Sequence, residues 1–179
     1  GSATDYTASI TTNSTDTQGA VAISIAFADL AGISGDVVTA TTNSSSVTYD
    51  RSVPTLTALS MTSNNDNTDY AKEGDIVTLN FTSSENIQDP PTVTLDGNNA
   101  TLSGSNSSWA ATYTMQSGDT EGDLAFTVDF IDIPGNNGTQ VTAVITGDAV
   151  EYDEPTPTLP TVNISSNTST GATLAKVND

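Results

Sequence analysis

The sequence repeats itself at an offset of 103 residues, and that recurrence limits the possible folds more than any other feature. At this offset Tyr6 falls on Trp109, Asp16 on Asp119, Gly19 on Gly122 and Phe27 on Phe130. Asp29 meets Asp132, Gly32 meets Gly135, Gly35 meets Gly138, and Val38 meets Val141. The match continues through Val47/Val150, Tyr49/Tyr152, Asp50/Asp153, Pro54/Pro157 and Met61/Ile164. After one inserted residue, Ala71-Lys72 aligns with Ala175-Lys176 and Asp75 with Asp179. The chain therefore divides into the second half of one repeat (1–51), a whole repeat (52–154) and the opening of a third (155–179). Two arrangements follow: the polypeptide continues in both directions, or another copy completes the partial repeats.

Within 52–154 the apolar residues alternate in short runs, the pattern of half-buried strands. Strands are expected over 55–62, 75–83, 90–95, 100–103, 109–115, 123–131, 140–146 and 149–152. The segment 63–74 (SNNDNTDYAKEG) reads as a polar turn region. In 75–83 one face carries Val77, Leu79 and Phe81; in 123–131 it carries Leu124, Phe126, Val128 and Phe130. No stretch has helical periodicity. Seven or eight short strands with one apolar face each predict an all-β antiparallel sandwich, with a closed barrel as the structural alternative. Trp109 is expected at the centre of the core, with Tyr6 in its place in the first partial repeat.

Composition narrows the function. Lys plus Arg number 3 against 22 Asp plus Glu, a formal charge of -19 with no histidine. Nothing in such a chain neutralises a row of phosphates or an anionic membrane, so neither nucleic acid nor lipid is an expected partner. No apolar run is long enough to span a bilayer. The first residues lack the basic start and apolar stretch of a signal peptide, so any such signal is expected outside this stretch. With no Cys there is no thiol nucleophile, disulfide or thiolate site, and with no His there is no imidazole base. Carboxylates, hydroxyls and two lysines remain, and the chain is read as non-enzymatic. The carboxylate pair Asp129/Asp132 invites a glycosidase reading, but the sequence supplies no aromatic-lined cleft around it.

Three stretches resemble a known family. These are YDRSVPTL at 49–56, AKEGDIVTLNFTSSE at 71–85, and MQSGDTEGDLAFTVDFIDIPGNNGTQVTA at 115–143. They are similar to the bacterial Ig-like repeats strung in tandem along large extracellular surface proteins and adhesins. The family's acidic-x-x-Gly-Asn turn is matched by Asp132, Gly135 and Asn136; the first partial repeat has Ile33 where Asn is usual. The resemblance implies Ig-like sandwiches in tandem, a cell-surface or extracellular location, and a structural role as a stalk or fibre. Its partners are then adjacent repeats or other copies of itself, with head-to-tail polymerisation by strand complementation as one form. The alternative is an adhesin segment that binds glycan or a host protein directly, for which Tyr70 is the candidate contact.

Calcium is the expected cofactor, because hard cations take clustered oxygens and the acid excess creates repulsion that a divalent ion relieves. Candidate ligands are Asp50, Asp153 and Glu154 at the repeat junctions, together with Asp129 and Asp132. The turn at 119–123 (Asp119, Glu121, Asp123) is a further concentration of acids. No EF-hand spacing is present. Arg51 occupies the place of Glu154, so an Arg51 ion pair is an alternative at the first junction. Asp29 and Asp132 have a second expected role, closing a tight loop by accepting backbone N–H bonds. Lys72 and Lys176, at equivalent positions, are read as surface lysines rather than isopeptide donors. Eight N-x-Ser/Thr acceptors occur, of which Asn43, Asn106, Asn137 and Asn167 fall in loops; Asn80 is expected on the outward face of a strand.

Overall fold

A computed structural model describes residues 5–154 and 156–163. Among them there is no helix, and the fold is all-β and β-sandwich-like, built of several sheets. Lys176, Asn167 and the rest of 164–179 lie outside the described residues.

The organising element is β5 (Ile76–Ser83), whose alternation IVTLNFTS puts Val77, Leu79 and Phe81 into the core and leaves Ile76 and Asn80 outward. It is one of the two inner strands of a four-stranded antiparallel sheet ordered β3-β5-β9-β8, with β3 (Leu56–Ser63), β8 (Thr101–Ser105) and β9 (Ser108–Thr114). In register, Leu79 stands between Met61 and Ala111, and Phe81 between Leu59 and Trp109. The β8–β9 hairpin turns at Asn106, which takes the left-handed conformation that Asn tolerates best after Gly. The Trp109 indole N–H donates to the Asn106 carbonyl at 3.2 Å, so the largest core side chain carries no unmet donor.

Facing this sheet are two smaller ones. β6 (Thr92–Leu95) pairs with β11 (Phe126–Asp129) and with the short β7 (Asn98–Asn99) across an Asp96-Gly97 turn. β12 (Glu151–Tyr152) pairs antiparallel with β10 (Gly122–Asp123) and parallel with β4 (Tyr70–Ala71). One cluster of buried side chains joins all of these, with Leu79, Leu95, Ala111, Met115 and Val128 fully enclosed. Each buried aliphatic or aromatic side chain contributes about 1.5–3 kcal/mol.

Most of the expected strands lie within a residue or two of the observed ones. Three differ. The stretch 123–131 is split, because Leu124 N–H bonds to Val150 O while Phe126–Asp129 pairs with β6 instead. The stretch 140–146 forms no ladder: it has the bridge Val128–Val141, and Ile145 and Thr146 N–H both donate to Leu59 O at 3.0 Å. The polar region 63–74 contains a strand, β4, that its composition hides.

Residues 5–51 carry the remaining pair, β1 (Gly19–Ala20) with β2 (Thr48–Tyr49). Their internal bonds reproduce those 103 positions later. Gly19–Tyr49 corresponds to Gly122–Tyr152, and the bridges Ile25–Val38 and Ala28–Ser34 correspond to Val128–Val141 and Ile131–Asn137. The Tyr49 hydroxyl donates to Asn13 O at 2.9 Å as Tyr152 does to Gln116 O at 2.9 Å. Burial does not follow. Tyr6 is 87% exposed where Trp109 is 5% exposed, so Tyr6 does not take the core place expected of it. The cause is that 5–51 has no counterpart of β3, β5 or β6 to cover its apolar face.

Truncation of equivalent aromatics separates the two regions. In urea denaturation followed by Trp109 emission, Phe130→Ala is expected to cost about 3–5 kcal/mol. Phe27→Ala is expected to move the same transition by less than about 0.5 kcal/mol, as surface changes do.

Candidate functional site

Three carboxylates from three chain segments converge where residues 5–51 meet 52–154. One oxygen from each of Asp50, Glu85 and Asp132 lies within 4.8 Å of the others. Asp50 follows β2, and its carboxylate accepts the Ser52 N–H at 2.9 Å, an Asx turn that redirects the chain into the Pro54 segment. Glu85 lies two residues past β5. Ser84 N–H donates to Thr55 O at 2.7 Å and Thr55 N–H to Ser84 Oγ at 3.1 Å, which draws the end of β5 against the chain leaving Asp50. The Ile87–Asp132 bridge then brings Asp132 alongside.

Asp132 is completely buried. Its Oδ1 accepts the N–H groups of Gly135 at 2.7 Å and Asn136 at 2.6 Å, and its Oδ2 accepts the Asn136 side-chain amide at 2.7 Å. The expected loop-closing role of Asp132 is thus present in full. Asp29 plays the same part in its own turn, accepting from Ala31 and Ile33 N–H, both at 2.9 Å. The Asn136 amide also reaches Asp50 O at 3.3 Å, tying the loop to the preceding segment.

The electrostatic load falls on Glu85. Burial and then the charges of Asp50 and Asp132 hold its carboxyl above the usual glutamate range. Among the described residues no N–H network shields it as one shields Asp132, so Glu85 is where a proton or a cation would relieve the repulsion. Such a cluster fits a hard divalent ion, since Asp132 keeps part of its acceptor capacity after three N–H bonds.

Of the residues expected to bind metal, the structure brings together Asp50 and Asp132 and leaves the others apart. Asp129 instead accepts both side-chain amide contacts of Gln140, at 2.9 and 3.0 Å, on the surface. Asp153 continues β12, its N–H bonded to Ala71 O, and Glu154 lies close enough to Tyr152 to act on it. Burial first, then the charges of Glu154, Asp119 and Glu73, push the Tyr152 phenol upward. In the 119–123 turn, Asp119 is occupied by the Gln116 N–H and the Tyr113 hydroxyl. Arg51 forms no ion pair among the described residues and donates to Ser14 O instead.

Lys72 is exposed and pairs locally with Asp75 at 3.3 Å. The Asn65 amide, ahead of the Lys72 backbone N–H and the Lys72 charge, lowers the Asp75 carboxyl. The acceptor residues Asn43, Asn106 and Asn137 are exposed in loops, and Asn80 is exposed on the outer face of β5. Glu85 was the residue that sequence reasoning missed. It lies in 76–103, a stretch with no second copy in this chain, so recurrence could not mark it. Comparison with protein-family models, curated proteins and solved structures finds no match for the chain.

The raised Glu85 carboxyl has a definite sign. A carboxyl that holds its proton more tightly when folded stabilises the fold below the ordinary value of 4.5, and that contribution is lost as pH rises through the raised value. In chelator, Glu85→Gln is expected to melt at a higher temperature than the parent at pH 7. The advantage should vanish below pH 4.5. A parent that melts above Glu85→Gln at neutral pH without metal would contradict the electrostatic assignment.

Proposed function

We propose that the chain is a structural, Ig-like repeat module of an extracellular stalk or fibre. The observation that carries this reading is the recurrence of one hydrogen-bond pattern at a spacing of 103 residues. Each whole unit buries its own core, and successive units meet through a short segment that Pro54 stiffens by fixing φ. The acidic, hydroxyl-rich surface keeps such an array hydrated and resists non-specific association. Head-to-tail polymerisation through the partial repeats is the form in which this module would assemble without a longer chain.

The junction carboxylates favour a calcium-stiffened version of the same role. Asp50 comes from one unit, and Glu85 with Asp132 from the next. An ion held by all three would fix the angle between units. Asp153 and Glu154 stand in the corresponding place after 52–154 and would serve the following junction.

Pulling the chain by its two ends is the direct test. One cooperative release of about 300 Å is expected from the core around β5, given roughly 3.3–3.6 Å per extended residue. Calcium should raise the release force in the parent and leave Glu85→Gln unchanged. Smooth extension with no release would exclude a load-bearing module.

The adhesin reading draws on Tyr70, which is 43% exposed in β4 beside the buried Ala71. Binding to a glycan panel that Tyr70→Ala abolishes would favour it; no binding leaves the structural role.

A further inference from the structure

Residues 5–51 present a continuous apolar face to solvent, made by Val21, Ile23, Ile25, Phe27 and Val47. Their counterparts Leu124, Phe126, Val128, Phe130 and Val150 are all at most 5% exposed. A cleft of about 480 Å³ opens between the Val21–Ile23 and Thr39–Val47 stretches of this face. An exposed apolar surface of this kind marks an interaction site, and in this molecule its occupant is shown by the equivalent surface at 124–150.

Among the described residues, three strand edges are open beside the same face. Residues 5–11 belong to no sheet, whereas their equivalents in β9 lie between β5 and β8. Tyr6, Ala8 and Ile10 repeat the β9 alternation of Trp109, Ala111 and Tyr113. Residues 23–26 bridge Val38 through Ile25 but have no partner equivalent to β6, which Phe126–Asp129 has. β2 pairs with β1 alone, whereas β12 pairs also with β4. All the missing partners fall in one stretch, 55–107.

We propose that 5–51 is a docking surface for the first half of a repeat of this kind: a polypeptide with the strand pattern of 55–107 that takes residues 5–11 into its sheet between its β5-like and β8-like strands and covers Ile23, Ile25 and Phe27 with its apolar face. This rests on the repeat reading above. A single donated strand does not meet the requirement, because three separate edges and the whole face need partners. The occupant is therefore a half-repeat, and its backbone enters directly ahead of Tyr6.

The test joins a copy of residues 52–108 to the full chain immediately before Tyr6. Amide exchange at 19–49 should slow by a factor on the order of 10² or more relative to the unextended chain, as expected when open strands become part of a cooperative core. Ile25→Asp in the extended chain should return exchange to its original rate. Trp109 emission, which reports only on the 52–154 core, should not change. A control chain with two successive copies of 52–154 establishes that the duplicated half folds when given its own second half. If the control folds and the extended chain gains no protection, the docking assignment is wrong. It is also wrong if 19–49 is already protected without the extension: concentration-dependent protection would mean that a second copy covers the face, and concentration-independent protection that 5–51 covers it. The pulling experiment on the unextended chain is decided separately by the 52–154 core, so the two readings fail independently.

Discussion

Burial of one face of β5 is the constraint on which the rest of the structure depends. Val77, Leu79 and Phe81 are fully or almost fully enclosed, and β5 is paired along its length on both sides, with β3 and with β9. The facing residues Phe126 and Val128 have an apolar surface to bury only because β5 supplies one. The contrast inside this single chain makes the dependence visible. Where a β5 equivalent is lacking, the same turns, bridges and tyrosine bond form, yet the apolar side chains remain in water. Local hydrogen bonding and core formation are thus separable in this fold, and β5 links them.

Much of this was legible in the sequence because strand alternation and internal recurrence are strong signals. The β5 pattern, the inward set Leu124, Phe126, Val128 and Phe130, and the loop role of Asp132 could be read from residue order alone. The losses have physical causes. Alternation in 140–146 reports half-burial, but a bridge at Val141 satisfies that without a ladder. β4 is only two residues long and lies in a run of Asn and Asp, whose side chains bond to nearby backbone and mask strand character. Spacing pairs Asp129 with Asp132, but Gln140 takes the Asp129 carboxylate at the surface. Glu85 reaches the junction through the Ser84–Thr55 and Ile87–Asp132 pairings, long-range contacts that composition cannot encode.

The junction also shows how a chain of charge -19 accommodates a carboxylate in its interior. Asp132 is held by three N–H donors, which together act as a fixed positive field. That arrangement transfers the repulsion to Glu85, the member of the cluster with the fewest fixed donors. The loop gains rigidity and the junction keeps one carboxyl that responds to its surroundings.

The Asp29 turn has a consequence of its own. Its carboxylate already accepts two backbone N–H groups, Gly35 N–H already bonds to Phe27 O, and the Phe27 ring already lies over Gly35 where no Cβ would fit. A surface whose loop is set before its partner arrives loses little further conformational freedom on association, and pre-organisation of this sort strengthens binding without adding a contact. Under the docking proposed above, the same turn would make 5–51 a ready template for the half-repeat that covers it.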